Sequence, residues 1–190
     1  MKRLNALLLT VCLTLAACGS VPPTPTDRFY RLQPTSIPAP IKAVHGTVNV
    51  LPFRADSLYA ERPIVYTDDA GSRQLRQYHY HLWLYPPAQT VEASLMGSLT
   101  QAFDFSRSKD ADNTLEGRVL AFERVVAGKS SKAVVALELR LVASGRVLTN
   151  KVYKAEYPAA DDSIGAFVEA MEKALAKLYA EFLADLGCGC

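Results

Sequence analysis

The second half of the chain places three strand-length runs directly before one long amphipathic helix, and this order strongly constrains the fold. The runs are rich in apolar and β-branched residues and cover residues 115–126, 133–143 and 147–157. Leucine alternates with charged residues from Leu137 to Leu141, which is typical of an antiparallel strand with one buried face. Apolar residues then recur at helical spacing over 164–186. We therefore predict a sheet that a helix covers on one face.

The first half follows the same order with shorter strands. Residues 29–32, 44–53, 63–66 and 75–83 have strand composition, and residues 68–71 between the last two have the composition of a hairpin turn. Pro86 and Pro87 precede a helix that continues past Leu99. Strands in runs, each run followed by one helix, predict a single α+β domain over 28–187. Its sheet is expected to be mixed and mostly antiparallel, with both helices packed on one face.

The apolar stripes of the two predicted helices, over 91–103 and 164–186, have two interpretations. They are expected to form the core. A groove for lipid would use the same residue types, because both need apolar side chains on one helix face.

The first 17 residues have the features of a bacterial secretion signal. Lys2 and Arg3 precede an apolar stretch that ends at Ala17 and is shorter than the roughly 20 residues a membrane-spanning helix needs. The sequence Leu15-Ala16-Ala17-Cys18 matches the lipobox of bacterial lipoproteins. We predict cleavage before Cys18 and a covalent lipid on its thiol; the alternative is an ordinary signal peptide in which this cysteine occurs by chance.

The residues after Cys18 predict a tether and a location. Prolines are frequent over 20–27, which favours an extended spacer of roughly 25 Å within the tether assigned to 18–27. Gly19 stands where an aspartate retains enteric lipoproteins in the inner membrane. We therefore expect an outer-membrane lipoprotein whose domain faces the periplasm.

The charge of the chain gives no sign of a nucleic-acid partner. The sequence contains 21 Lys and Arg against 19 Asp and Glu, and the balance becomes even once Lys2 and Arg3 are removed with the signal. No basic run stands out, so nucleic-acid binding is not expected.

Few residue patterns point to catalysis. His79 and His81 share one face of a predicted strand and would give zinc two ligands, but no third ligand is spaced to complete a motif. Cys188 and Cys190 end the chain in a short tail, 188–190, in which a ring between them would be strained. We predict no enzyme and no cofactor besides the covalent lipid on Cys18.

Aromatic residues are concentrated between positions 59 and 85. Tyrosine and tryptophan have a polar tip on an apolar ring and suit a wet interface. A solvent-facing hairpin explains the same composition, so both interpretations stay open. The cluster contains Tyr59, Tyr66, Tyr78, Tyr80, Trp83 and Tyr85.

The ordered set of motifs resembles the ABC-type transport auxiliary lipoproteins, a PqiC-like family. The lipobox is followed by Phe29-Tyr30-Arg31-Leu32, then by VNVLP over 48–52. LYAERPIV over 58–65 is similar to a family stretch that reads Tyr-Leu-Asp-Arg-Pro-x-Ile-Val, although Ala60 and Glu61 differ from it. YHLWLYP over 80–86 is similar to the stretch before the family's first helix, with Tyr85 in place of its glutamate.

The resemblance implies a non-enzymatic role in lipid transport. Such lipoproteins are typically encoded with an ABC transporter and an Mce-domain protein, and together these move phospholipid across the Gram-negative envelope. The chain would be a docking or gating subunit, with Cys18 as anchor and with Arg62, Trp83 and Tyr85 in the interaction surface. A homo-oligomer is plausible by analogy.

Two other functions stay open from the sequence. The chain would serve as a scaffold or assembly lipoprotein if its partner is an outer-membrane barrel and the chain itself binds no transported lipid. It would be a periplasmic metal-dependent hydrolase if His79 and His81 bind zinc.

Overall fold

The computed structural model describes residues 24–33, 46–69, 71–102, 105–111 and 113–187. The predicted signal sequence, Cys18 and the 188–190 tail lie outside these residues. Of the predicted tether, residues 24–27 are described; they are exposed and belong to no helix or strand.

Within the described residues, nine strands form one mixed sheet, accompanied by two helices. The strands are β1 Arg28–Tyr30, β2 Gly46–Val50, β3 Arg54–Ala55, β4 Pro63–Thr67, β5 Arg76–Trp83, β6 Phe105–Arg107, β7 Asn113–Ala127, β8 Ser130–Ala143 and β9 Arg146–Pro158. The helices are α1 Pro87–Ala102 and α2 Ile164–Gly187, and a 3₁₀ turn covers Ser57–Ala60.

Strands β7, β8 and β9 form the three-stranded antiparallel meander that the sequence predicts. The β7–β8 turn contains Gly128 at φ +61°, and the β8–β9 turn contains Gly145 at φ +77°. A side chain is strained in this left-handed region, which glycine occupies at little cost. These two ladders are the longest antiparallel pairings among the described strands.

The other side of β7 is shared by three short strands. β2, β3 and β4 pair with it one after another, and all three run parallel to it. β5 is antiparallel to β4, and β1 is parallel to β5, with Arg28 opposite His81 and Tyr30 opposite Trp83. The first strand after the tether therefore lies beside the end of β5, at an edge of the sheet.

Both helices pack on the same face of the sheet, so the predicted α+β class is confirmed. The Tyr179 hydroxyl of α2 donates to the Val91 carbonyl of α1 at 3.2 Å. The α1 stripe residues Val91, Leu95 and Leu99 are buried. The helical stripes therefore belong to the core, where the large buried side chains include Trp83, Phe122, Phe167, Phe182, Tyr153 and Tyr179.

Helix α2 begins at a cap formed by Asp161 and Ser163. The Ser163 hydroxyl accepts the Ala166 N–H at 3.1 Å, and the Asp161 carboxylate accepts the Ser163 N–H at 2.8 Å. Each bond satisfies a backbone donor near the helix start, where the helix dipole also favours negative charge. The hydrogen bond from Ser163 holds the pKa of Asp161 below its usual range.

Candidate functional site

The structure brings two of the three predicted surface residues to the sheet edge formed by β1 and β5. Arg62 lies just before β4 and Tyr85 two residues after β5, and both are exposed. Cys18, the predicted lipidation site, is outside the described residues and stays a prediction.

Arg62 is held in place by contacts to both strands. Its Nε donates to the Trp83 carbonyl at 3.1 Å, and its guanidinium carbon lies 4.9 Å from the centre of the Phe29 ring. The Trp83 N–H donates back to the Arg62 carbonyl at 2.7 Å. The guanidinium is therefore oriented by a hydrogen bond and a cation–π contact, and its remaining N–H groups are available to an acceptor.

Trp83 does not lie on the surface that the sequence analysis assigned to it. Its side chain is 1% exposed, and its ring centre lies 5.1 Å from that of Phe122 and 5.9 Å from that of Phe167. The indole is a core residue because it closes the space between β5, β7 and α2. Only its backbone takes part in the surface, through the two hydrogen bonds to Arg62.

Exposed side chains of β1 and of the segment after β5 lie at this sheet edge, and together with Arg62 they form a surface that we call the β1 patch, consisting of Phe29, Arg62, Leu84 and Tyr85. Phe29 is 51% exposed and Tyr85 is 59% exposed. The Leu84 N–H donates to the Tyr30 carbonyl at 2.7 Å, which fixes the segment after β5 against β1. Large apolar side chains on a rigid backbone, next to an oriented cation, are suited to binding a partner.

A groove with a volume of about 580 Å³ continues from this patch along the outer side of α1, and we call it the α1 groove. The segment after β1 forms one wall and α1 forms the other. The lining residues are Tyr30, Arg31, Leu32, Gln33, Leu84, Tyr85, Gln89, Thr90, Ala93, Ser94 and Gly97. The sequence analysis missed it because it considered the apolar stripe of α1, whereas the groove uses the opposite, small-residue side.

A second depression, about 360 Å³ in volume, lies on the sheet face away from the helices. Three of its five charged lining residues form ion pairs. Arg140 contacts Glu116 at 3.1 Å, and Arg118 pairs with Asp56. These ion pairs reduce the attraction of this depression for a charged ligand.

The aromatic cluster of the sequence divides between core and surface. The Tyr66 and Tyr78 rings stack at 4.2 Å between their centres, and Tyr59 is buried with its hydroxyl donating to Glu123. Burial, followed by that hydrogen bond, raises the pKa of Tyr59 well above its usual value. Tyr80 and Tyr85 stay exposed, so only part of the cluster is available to an interface.

A buried arginine beneath this cluster was not singled out from the sequence. Arg124 is 5% exposed; it donates to the Tyr78 hydroxyl at 2.8 Å and to the Asp162 carbonyl. It thus joins β5 and β7 to the start of α2. Burial raises the pKa of the Tyr78 hydroxyl, an effect that Arg124 partly offsets.

His81 and His79 do not come together with further metal ligands in the part of the chain that is described. No group of three or more His, Cys, Asp or Glu side chains there could hold a metal ion. His81 instead makes a 2.8 Å hydrogen bond between its Nδ1 and the Tyr30 hydroxyl. Burial, with the nearby charges of Arg28 and Arg124, lowers the pKa of His81.

The family model of the ABC-type transport auxiliary lipoprotein component matches residues 30–182. The chain belongs to this family. The match confirms the resemblance drawn from the motifs and extends it through β7, β8, β9 and most of α2, where the sequence analysis had only the order of elements. Members of the ABC-type transport auxiliary lipoprotein family are transport-associated lipoproteins, so the predicted class of function is confirmed at that level.

Solved structures share the fold of this auxiliary lipoprotein. One is the crystal structure of protein XCC0632 from Xanthomonas campestris, which is assigned to the family DUF330. It aligns with a TM-score of 0.71 at 22% identity and covers 82% of this chain and 92% of that chain. The crystal structure of an uncharacterized protein aligns with a TM-score of 0.69 at 17% identity, covering 85% and 99%. The comparison with curated proteins gives no match. Neither described helix of the lipoprotein is long and apolar enough to cross a membrane.

Proposed function

We propose that the chain is an outer-membrane-anchored subunit of an ABC and Mce-type system that moves phospholipid between the membranes of the envelope. In this role it is a non-catalytic subunit that docks or gates the periplasmic part of the system. The observation that carries the proposal is the family match over residues 30–182. The lipobox at Leu15–Cys18 and the glycine at position 19 support the anchor and its membrane.

The position of β1 supports a docking role. β1 begins at Arg28, directly after the proline-rich tether, and it pairs with β5 at the sheet edge. A domain tied to the membrane through this strand would carry the β1 patch close to its point of attachment. The patch would therefore stay in a restricted orientation toward a partner in the periplasm.

The chemistry of the β1 patch supports a protein partner. Phe29, Leu84 and Tyr85 are exposed, and Arg62 is already oriented by Phe29 and by the Trp83 carbonyl. Because these contacts order the arginine before binding, less side-chain entropy is lost when it meets an acceptor. Aromatic residues and arginine are also the types most enriched among residues that dominate binding energy.

The proposal is tested by crosslinking the lipidated full chain in its own membranes and identifying the captured proteins by mass spectrometry. Capture of an Mce-domain protein or an ABC transporter component is expected. Capture of an outer-membrane barrel alone would identify a scaffold lipoprotein and contradict the proposal.

A pair of matched variants tests whether the β1 patch is the contact. Arg62→Ala with Tyr85→Ala is expected to reduce capture of the transport partner at least tenfold. Tyr157→Ala, on the distant strand β9 at a position that is 37% exposed, is the control and should leave capture unchanged. Equal capture by both variants would place the partner elsewhere on the domain.

A further inference from the structure

We propose that the α1 groove binds one acyl chain of a phospholipid and that Arg31 binds its phosphate. The proposal rests on the proposed function only for the membrane location, which brings phospholipid within reach. It goes beyond docking because it places the lipid on this subunit itself.

The inner surface of the groove is mostly apolar. The apolar and small lining residues are Leu32, Leu84, Tyr85, Ala93 and Gly97, and the lining also includes Gln33 and Gln89. A Cβ added at Gly97 would have no atom within 4 Å, so the space above this helical turn is open. The small residues leave the room that a chain of methylenes needs.

Several polar groups of the lining are already bonded within the protein. The Tyr30 hydroxyl is bonded to His81, and the Thr90 hydroxyl donates to the Tyr85 carbonyl at 3.2 Å. The Gln33 N–H donates to the Glu172 carboxylate. Because these groups need no partner from a ligand, the groove presents fewer hydrogen-bonding groups to its occupant than its residue types indicate. A peptide, whose backbone must be satisfied, fits such a surface less well than an alkyl chain.

The charge at the rim fits a phosphate. Arg31 is the charged member among the lining residues, it is exposed, and it forms no ion pair with any described residue. The Glu172 carboxylate reaches the same segment from α2 and accepts the Gln33 N–H at 2.6 Å. A guanidinium that has no ion pair within the described part of the chain, at the mouth of an apolar groove, complements an anionic head group on an apolar chain.

The size of the groove fits a single acyl chain. Its volume of about 580 Å³ lies within the roughly 300–1,000 Å³ of ordinary small-molecule sites. The burial of successive methylenes supplies the affinity.

The test uses the full lipidated chain in living cells with a photoreactive phenylalanine analogue at position 85. Tyr85 lines the groove, and an aromatic analogue there keeps the ring. Cells grown with radiolabelled phosphate are irradiated, and the purified protein is analysed for label and by mass spectrometry. We expect a phospholipid adduct at position 85 and at least tenfold less at Tyr157, an exposed tyrosine on β9 that carries the same analogue as control.

Two further variants locate the lipid in the groove. Gly97→Leu fills the open space above α1 and is expected to lower the adduct at position 85 about tenfold; Ala184→Leu, at an exposed position of α2, should not. Arg31→Gln is expected to lower the adduct severalfold without changing the melting temperature. If Gly97→Leu lowers the melting temperature, Ala93→Leu is used in its place.

The outcomes separate this inference from the proposed function. Equal labelling at positions 85 and 157, labelling that Gly97→Leu leaves unchanged, or an adduct without phosphate would each overturn the lipid site. If no lipid adduct forms while the transport partner is still captured, the groove inference fails and docking stands. If lipid adducts form but no transport partner is captured, the groove stands and the proposed function fails.

Discussion

At the residue scale, the hydrogen bond between Tyr30 and His81 joins the strand that follows the tether to the body of the domain. The bond measures 2.8 Å between the Tyr30 hydroxyl and Nδ1 of His81. The hydroxyl can donate to this nitrogen only when the nitrogen carries no proton. Burial and the charges of Arg28 and Arg124 lower the pKa of His81 and so favour the neutral ring.

This arrangement predicts that the domain loses stability in mild acid. The unfolded chain takes up a proton on His81 below about pH 6.5, whereas the folded chain does so only at a lower pH. The stabilisation is therefore full above about pH 6.5 and is lost as the pH falls toward the folded pKa. Urea unfolding of wild type and His81→Gln across this range measures the effect.

The histidine variant should show a smaller loss of stability with falling pH than wild type. His79→Gln, at an exposed histidine of the same strand, is the matched control and should follow the wild-type curve. Parallel curves for wild type and His81→Gln would show that His81 does not cause the pH dependence.

At the same scale, substituting alanine for two different glycines should change the stability of the domain in opposite directions. A Cβ at Gly117 would collide with the ring of Phe53, whereas one at Gly97 meets nothing within 4 Å. Gly117→Ala is expected to destabilise the domain by about 1–3 kcal/mol through overpacking. Gly97→Ala is expected to stabilise α1 by up to about 1 kcal/mol. Urea denaturation checks both, and a neutral Gly117→Ala would mean that the Phe53 ring can move aside.

At the scale of elements, the long segments could be predicted from the sequence and the pairing of the short ones could not. The alternation along β8 and the apolar stripe of α2 each give a strong periodic signal, and both elements form where expected. β3 and β6 have two and three residues, too few for any period. Their parallel alignment with β7 and β2 depends on tertiary packing, which a local pattern does not contain.

The candidate site, too, could be predicted only in part from the sequence. Arg62 and Tyr85 were found through motifs that resemble a family. The burial of Trp83 was missed because the sequence pattern of a strand that ends in an aromatic residue is the same whether the ring contacts a partner or the core. The α1 groove was missed because it needs the segment after β1, which is distant in sequence from α1.

The cap of α2 gives a prediction at this scale. Ser163→Ala removes the acceptor of the Ala166 N–H and is expected to cost about 1 kcal/mol. Ser163→Asp keeps an oxygen at the same position and should restore most of the stability. Thermal unfolding of the three proteins compares them, and equal stability of wild type and Ser163→Ala would mean that the cap contributes nothing measurable.

At the scale of the whole molecule, the account depends on attachment to a membrane through Cys18. Cys18→Ser removes the thiol that would accept the lipid. The variant is expected either to leave the membrane fraction or to accumulate uncleaved, because the predicted lipid and the predicted cleavage site both depend on Cys18. Fractionation together with labelling by a fatty acid analogue measures both, and unchanged labelling would refute the lipobox.

The central claim is that this chain is part of a system that transports lipid, and the most direct measurement is the rate of lipid transfer between the two membranes. A labelled phospholipid is followed in cells that lack the protein and in cells that regain it. The account predicts slower transfer without the protein, recovery with the wild-type chain, and no recovery with the Arg62→Ala and Tyr85→Ala double variant. A transfer rate that is the same with and without the protein would contradict it.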